Sequence, residues 1–192
     1  MSITERLRGI LRQTPLEQKI IYALYELEKV HKSLETESTK LLNKADSLFQ
    51  RCVRAQEMKD VKTATLYANE CAKVREMSLA VLQSQIAIEQ AMLRLETVKY
   101  LRDLVAQMEP IRPLIQRLSQ KLSTILPSAS ITLARISALL NELAIDAGEA
   151  IEYKGPIGNP IEDAERILKD ATALAEQKMK ETFPSLDKFQ SQ

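Results

Sequence analysis

The side chains in this chain best suited to act as base, thiolate nucleophile or soft metal ligand are one histidine, His31, and two cysteines, Cys52 and Cys71. Each of those roles needs company. No second histidine, C-x-x-C pair or carboxylate cluster at ligand spacing accompanies them. The chain also has no Gly-rich phosphate loop, no G-x-S-x-G elbow and no H-E-x-x-H pair. No catalytic residue, cofactor or metal is therefore expected, and an enzyme ranks well below a binding or scaffolding protein. His31 reads as a polar residue packed in a helical seam. Cys52 and Cys71 are nearly equidistant from residue 61, so they could face each other across a hairpin. They would do so as small packed residues or, alternatively, as a regulatory disulfide.

The remaining chemistry is that of surfaces. In "MSITERLRGILRQTP" the residues Ile3, Leu7, Ile10 and Leu11 share one helical face. Arg6 and Arg8 flank that face and Arg12 lies behind it. A short, basic, one-sided helix suits the protein's own body, a partner, or an anionic membrane surface, and the last is the expected membrane contact. Further on, Lys40, Lys44, Arg51 and Arg54 form a basic stripe within an arc of roughly 80°. Glu142, Asp146 and Glu149 form an acidic face. Either alone is an ordinary solvated face. Together they predict docking of one on the other, within the chain or across subunits. Nucleic acid is not expected, since no aromatic residues interleave with the stripe and no nucleic-acid motif is present. The charge is also split along the chain. Residues 1–135 carry 21 Lys+Arg against 15 Asp+Glu, while residues 136–192 carry 6 against 11.

The elements that place these groups are helices. Only 4 Gly occur in 192 residues, so turns are few. "TPLE" at 14–17 supplies an N-cap, a proline at N1 and a capping box. From there Leu16, Ile20, Leu24, Leu27, His31, Leu34, Ser38, Leu41, Ala45, Leu48, Cys52 and Ala55 step by alternating fours and threes. The seam pauses at "MKDVK" and resumes through Tyr67, Cys71, Val74, Ser78, Val81, Gln85, Ile88, Met92 and Leu95. This predicts a helical hairpin turning near Asp60, with arms of more than roughly 40 residues, about 60–70 Å long. Leu82, Ile86, Leu93 and Leu101 fall largely off the seam. Pro110 and Pro113 predict an elbow, followed by a short helix over 114–126 that Pro127 stops and another over 128–151. Its inner side carries Ile131 or Leu133, Ile136, Leu139 or Leu140, and Leu143. "EYKGPIGNP" reads as a linker, and Asn159 and Pro160 start a final helix over about 160–182. That helix is expected to cross onto a neighbouring subunit through Ile161, Ala164, Leu168 and Ala171. The expected organisation is thus all-α and elongated: an N-terminal amphipathic helix (1–13), a hairpin core with small helices (14–151), and a linker with a distal helix (152–192). No stretch approaches 18 uninterrupted apolar residues and the start lacks the apolar core of a secretory signal, so a cytoplasmic protein is expected.

The succession of these parts resembles the ESCRT-III (Snf7-domain) proteins, and more closely their archaeal CdvB-like branch. The resemblance runs through the basic first arm, "MKDVKTATLYANECAKVREM", "AIEQAMLRLETVKYLRDLV", the proline-punctuated small helices, the acidic end and "DAERILKDATALAEQKMKETFP". It implies a non-enzymatic filament subunit that constricts membrane during cell division, peripheral on the inner face of the cell membrane. Its implied partners are copies of itself, paralogous subunits, an anionic membrane surface and an AAA-type ATPase for disassembly. The alternative from the residues themselves is a soluble coiled-coil adaptor that forms a discrete oligomer.

Overall fold

The computed structural model describes residues 15–97, 101–151 and 159–182. The expected helix over 1–13 and nearly all of the linker lie outside them. Among the described residues every regular element is an α-helix: α1 Pro15–Glu57, α2 Val61–Glu96, α3 Leu101–Leu122, α4 Pro127–Ile151 and α5 Pro160–Thr182. The all-α architecture read from the sequence is what the chain adopts.

α1 and α2 form the hairpin. Asp60 both ends one arm and starts the other. Its N–H donates to the Ala55 carbonyl (2.9 Å), and the Lys59 N–H donates to the Gln56 carbonyl (3.0 Å). This is a Schellman ending of α1, with Lys59 in the left-handed region at φ 58°. The Asp60 carboxylate then caps α2 by accepting from the Thr63 N–H (3.1 Å). Hydrogen bonds from Thr63, first its side chain and then its backbone, hold the Asp60 carboxyl below its ordinary value of 3.8. A folded-state value below the unfolded one contributes stability above the unfolded value and loses it as pH falls through the folded one. Asp60→Ala is therefore expected to lower the melting temperature at pH 7 and to shrink that deficit below about pH 4. Thermal melts at the two pH values check this. At the neighbouring position, a side chain at positive φ is strained where glycine is not. Lys59→Gly should raise the unfolding free energy by about 0.5–1 kcal/mol, read from urea titration.

The register of the hairpin can be read from its two thiols. Cys52 Sγ donates to the Ala64 carbonyl and Cys71 Sγ to the Ala45 carbonyl, each at 3.4 Å. The cysteines thus do not face each other: each stands about 10 Å, or one heptad, along the hairpin from the other's level. Both are free thiols. Continuing the heptads toward the start puts Ser38 level with Ser78, His31 with Gln85 and Leu24 with Met92. Ala23, Leu27, Val30, Leu34, Leu41 and Ala45 are buried along α1, and Cys71, Val74, Val81, Ile88 and Leu95 along α2. The polar breaks in the seam therefore lie side by side. The Ser78 hydroxyl and His31 Nε2 are buried without a hydrogen-bond partner.

The arms are unequal, which corrects the reading of two arms each longer than roughly 40 residues. α1 has 43 residues and α2 has 36, or about 64 and 54 Å. The expected elbow at Pro110 and Pro113 is corrected as well. Pro110 and Pro113 lie inside α3, which runs through both. An interior proline costs about 3 kcal/mol, but α3 buries Met108, Ile111, Leu114, Ile115, Leu118 and Leu122 to 1% exposure or less. Six such side chains at about 1.5–3 kcal/mol each exceed the two proline penalties. Pro127 likewise starts a helix rather than stopping one: it stands first in α4, where its missing N–H is not needed.

α3 and α4 form a second, shorter hairpin laid against the first. Ser119 and Ser130 tie them reciprocally, each hydroxyl donating to the other residue's carbonyl (2.9 and 2.7 Å). α4 turns Leu133, Ile136, Leu140 and Leu143 inward and leaves Ile131 exposed, which resolves the two alternatives the spacing left open. The Lys121 amine of α3 donates to the Gln83 amide oxygen of α2, and partial burial lowers its pKa below the ordinary lysine value. α5 begins where the sequence placed it. The Asn159 side chain accepts from the Ile161 N–H (3.2 Å), and Pro160 is the first helical residue.

Candidate functional site

The predicted basic stripe lies on α1, the acidic face on α4 and the predicted filament contact on α5. Ile3, Arg6, Leu7, Arg8, Ile10, Leu11 and Arg12 lie outside the described residues, and so does the Glu149 side chain. The structure brings the acidic face of α4 onto α1, but not onto the basic stripe. Lys19, near the start of α1, donates to Glu142 Oε1 (2.5 Å) and to Asp146 Oδ2 (2.9 Å). Its pKa is raised by the hydrogen bond to Glu142 first and then by the one to Asp146. A raised lysine value means that the clasp's contribution holds at neutral pH and fades only as pH climbs through the folded-state value. Within one chain, docking of Glu142 and Asp146 on Lys40, Lys44, Arg51 and Arg54 is thus corrected to docking on Lys19.

The physical reason is length. α3 ends beside Gln83, whose level on α1 is close to Ser33, and α4 starts there and runs back toward Lys19. It covers the half of α1 nearer the start. Lys40, Lys44, Arg51 and Arg54 stand beyond its reach and are exposed. The Lys40 amine lies 3.5 Å from Glu37, and the Arg51 guanidinium lies over the Tyr67 ring at 6.0 Å. The sequence reading missed Lys19, although a signal was available: it occupies the same heptad position of α1 as Lys40 and Arg54.

Within one chain α5, with its predicted filament contact, packs against α2 and α3. Ala164 and Ala171 are fully buried there, with Ile167 and Ala175, which the sequence reading did not single out. Leu168 is half-buried, and Ile161 is 54% exposed. The Arg117 guanidinium of α3 donates to the Glu165 carboxylate across the α3–α5 contact (3.0 Å). α5 and α3 also cover much of what lies off the hairpin seam: Ile86 is buried and Leu82 half-buried, while Leu93 remains exposed.

A cleft of about 300 Å³ lies where α3, α4 and the start of α5 meet, lined in part by Glu109, Arg112, Ser137 and Asn141. Arg112 Nε donates to Asn141 Oδ1 (2.6 Å). Among the described residues no group of three or more His, Cys, Asp or Glu side chains could hold a metal ion. Burial raises the Cys71 thiol above its ordinary value, which disfavours the reactive thiolate. Among those residues no helix is long and apolar enough to cross a membrane. What the arrangement offers is a set of long charged and apolar helix faces.

The comparisons with known proteins agree with that picture. No family model and no solved structure matches the chain. The chain is 37% identical over 172 residues to cell division protein B1 of Sulfolobus acidocaldarius, covering 90% of this chain and 80% of that protein. The chain belongs to the CdvB family. Cell division protein B of the same organism is 27% identical over 175 residues, covering 91% of this chain and 67% of its own length. CdvB is an ESCRT-III-like protein, so the resemblance read from the succession of parts holds. For this CdvB-family chain both matches extend over about nine tenths of its length.

Proposed function

We propose that this chain is a subunit of a membrane-associated filament that remodels or constricts membrane in archaeal cell division. The observation that carries the reading is its membership in a family of cell division proteins, joined to a body built of helix faces. The membrane contact is the basic amphipathic segment with Ile3, Leu7, Ile10 and Leu11 inward and Arg6, Arg8 and Arg12 near the headgroups. Burial of such side chains is worth about 1.5–3 kcal/mol each, and each basic residue near an anionic surface adds about 1 kcal/mol. Ordering the segment costs about 1–2 kcal/mol per residue. One copy therefore binds weakly, and many copies along a filament bind firmly. The partners are further copies of the chain and paralogous subunits, with an AAA-type ATPase for disassembly, on the inner face of the cell membrane at the division site.

Leu7→Asp with Ile10→Asp is expected to reduce co-sedimentation with anionic vesicles by at least tenfold. The helical circular dichroism should stay as in the parent. Unchanged sedimentation would remove the segment from the membrane contact. The coiled-coil adaptor remains the competing outcome.

A further inference from the structure

We propose that the exposed distal half of α1 is a docking surface for the acidic face of α4 from a second copy of this chain. The proposal rests on the filament reading above and names the contact that propagates it.

The chain already shows how α4 recognises α1. Relative to the positions of α1 level with α2 (24, 31, 38, 45 and 52), one flanking position holds Ala23 and Val30, and the next one out holds Lys19. Ala23 and Val30 are buried, and Lys19 takes both acids of α4. α1 packs against only α2 and α4 among the described helices. Followed toward the tip, the first position carries Glu37, Lys44 and Arg51 and the second Lys40 and Arg54, with Glu37 lying 3.5 Å from the Lys40 amine. The face that binds α4 therefore continues past the end of α4, with more positive charge than it has beneath α4.

The occupant follows from complementarity. On α4, Ile145 flanks the acidic face, about 60° round the helix from Glu142, and is 62% exposed. Just past the end of α1, in line with the flanking position that carries Lys44 and Arg51, stands Met58, which is 81% exposed. An acidic face with an apolar edge thus meets a basic face with an apolar end. The clasp at Lys19 leaves the Glu142 side chain 60% exposed and that of Asp146 42% exposed, so neither acid is sealed away from an incoming helix. The two surfaces are different parts of the molecule. Their pairing is head-to-tail, does not close on itself, and continues from copy to copy. Exposed ion pairs are individually weak and screened by salt, so the contact is cumulative along a filament and reversible.

Two full-length variants test this. One reverses the stripe (Lys40→Glu, Lys44→Glu, Arg51→Glu, Arg54→Glu). The other reverses the acidic face while keeping the internal clasp (Lys19→Glu, Glu142→Lys, Asp146→Lys). Assembly is followed in solution at low salt by pelleting and electron microscopy, and circular dichroism reports folding. The parent should pellet, each variant alone should lose at least tenfold in pelleted protein, and an equimolar mixture should recover it, because each variant then supplies the charge its partner lacks. A stripe-reversed variant that pellets like the parent overturns the proposal. So does a mixture that fails to recover, including the case where the stripe-reversed variant loses only its binding to phosphatidylglycerol vesicles, which would make the stripe a lipid contact. A parent that forms no filaments with or without those vesicles would overturn the filament reading itself.

Discussion

Leu118→Ala is expected to lower the unfolding free energy by about 2–5 kcal/mol, the largest loss from any single conservative truncation. Leu118 is 1% exposed, in the run of α3 that also buries Ile111, Leu114, Ile115 and Leu122. α3 is the element that α2, α4 and α5 all pack against. The cavity would open in the close-packed inner face of α3, whose surroundings relax only in part to fill it. Against a total of about 5–15 kcal/mol for a domain, the loss is a large fraction. Urea titration by circular dichroism checks it. A change below about 1 kcal/mol would show that α3 is not the hub of the short helices.

The second large effect is expected from Ala171→Glu. Ala171 is fully buried in α5, beside Ala164, Ile167 and Ala175. Apart from Ile167 these are alanines, which let the helix approach closely but release little free energy on burial. Overpacking alone costs about 1–3 kcal/mol, and a buried carboxylate without a partner adds desolvation to that. The sum exceeds what such a sparse face supplies, so α5 should leave the body while α1 and α2 stay zipped. Hydrogen exchange would read this as loss of protection over 159–182, with protection in 61–96 retained. Continued protection of the final helix would show that its alanine face is stronger than its area suggests.

The seam and the caps were legible in the sequence. Alternating fours and threes marked α1 and α2, "MKD" marked the turn, and Asn159 with Pro160 marked the start of α5, because each signal acts within one helical turn. The register was not legible. Measuring the cysteines from residue 61 missed by one heptad, because α1 stops at Glu57 and the chain reverses through the left-handed Lys59. Pro110 and Pro113 misled because their local penalty is set against burial by helices distant in sequence. The destination of α4 failed for a related reason: charge pattern showed that an acidic face needs a cation, but only the height of the α3–α4 turn decides that Lys19 is the one within reach. α5 carried an ambiguous signal, since a face of Ala164, Leu168 and Ala171 fits its own chain as readily as a neighbour.

Electron microscopy of the purified full chain, alone and with vesicles containing phosphatidylglycerol, tests the central claim most directly. The account predicts filaments, with coated or tubulated vesicles when lipid is present. A single small oligomer of fixed size, unchanged by protein concentration, salt or vesicles, would contradict it and establish a discrete coiled-coil adaptor instead.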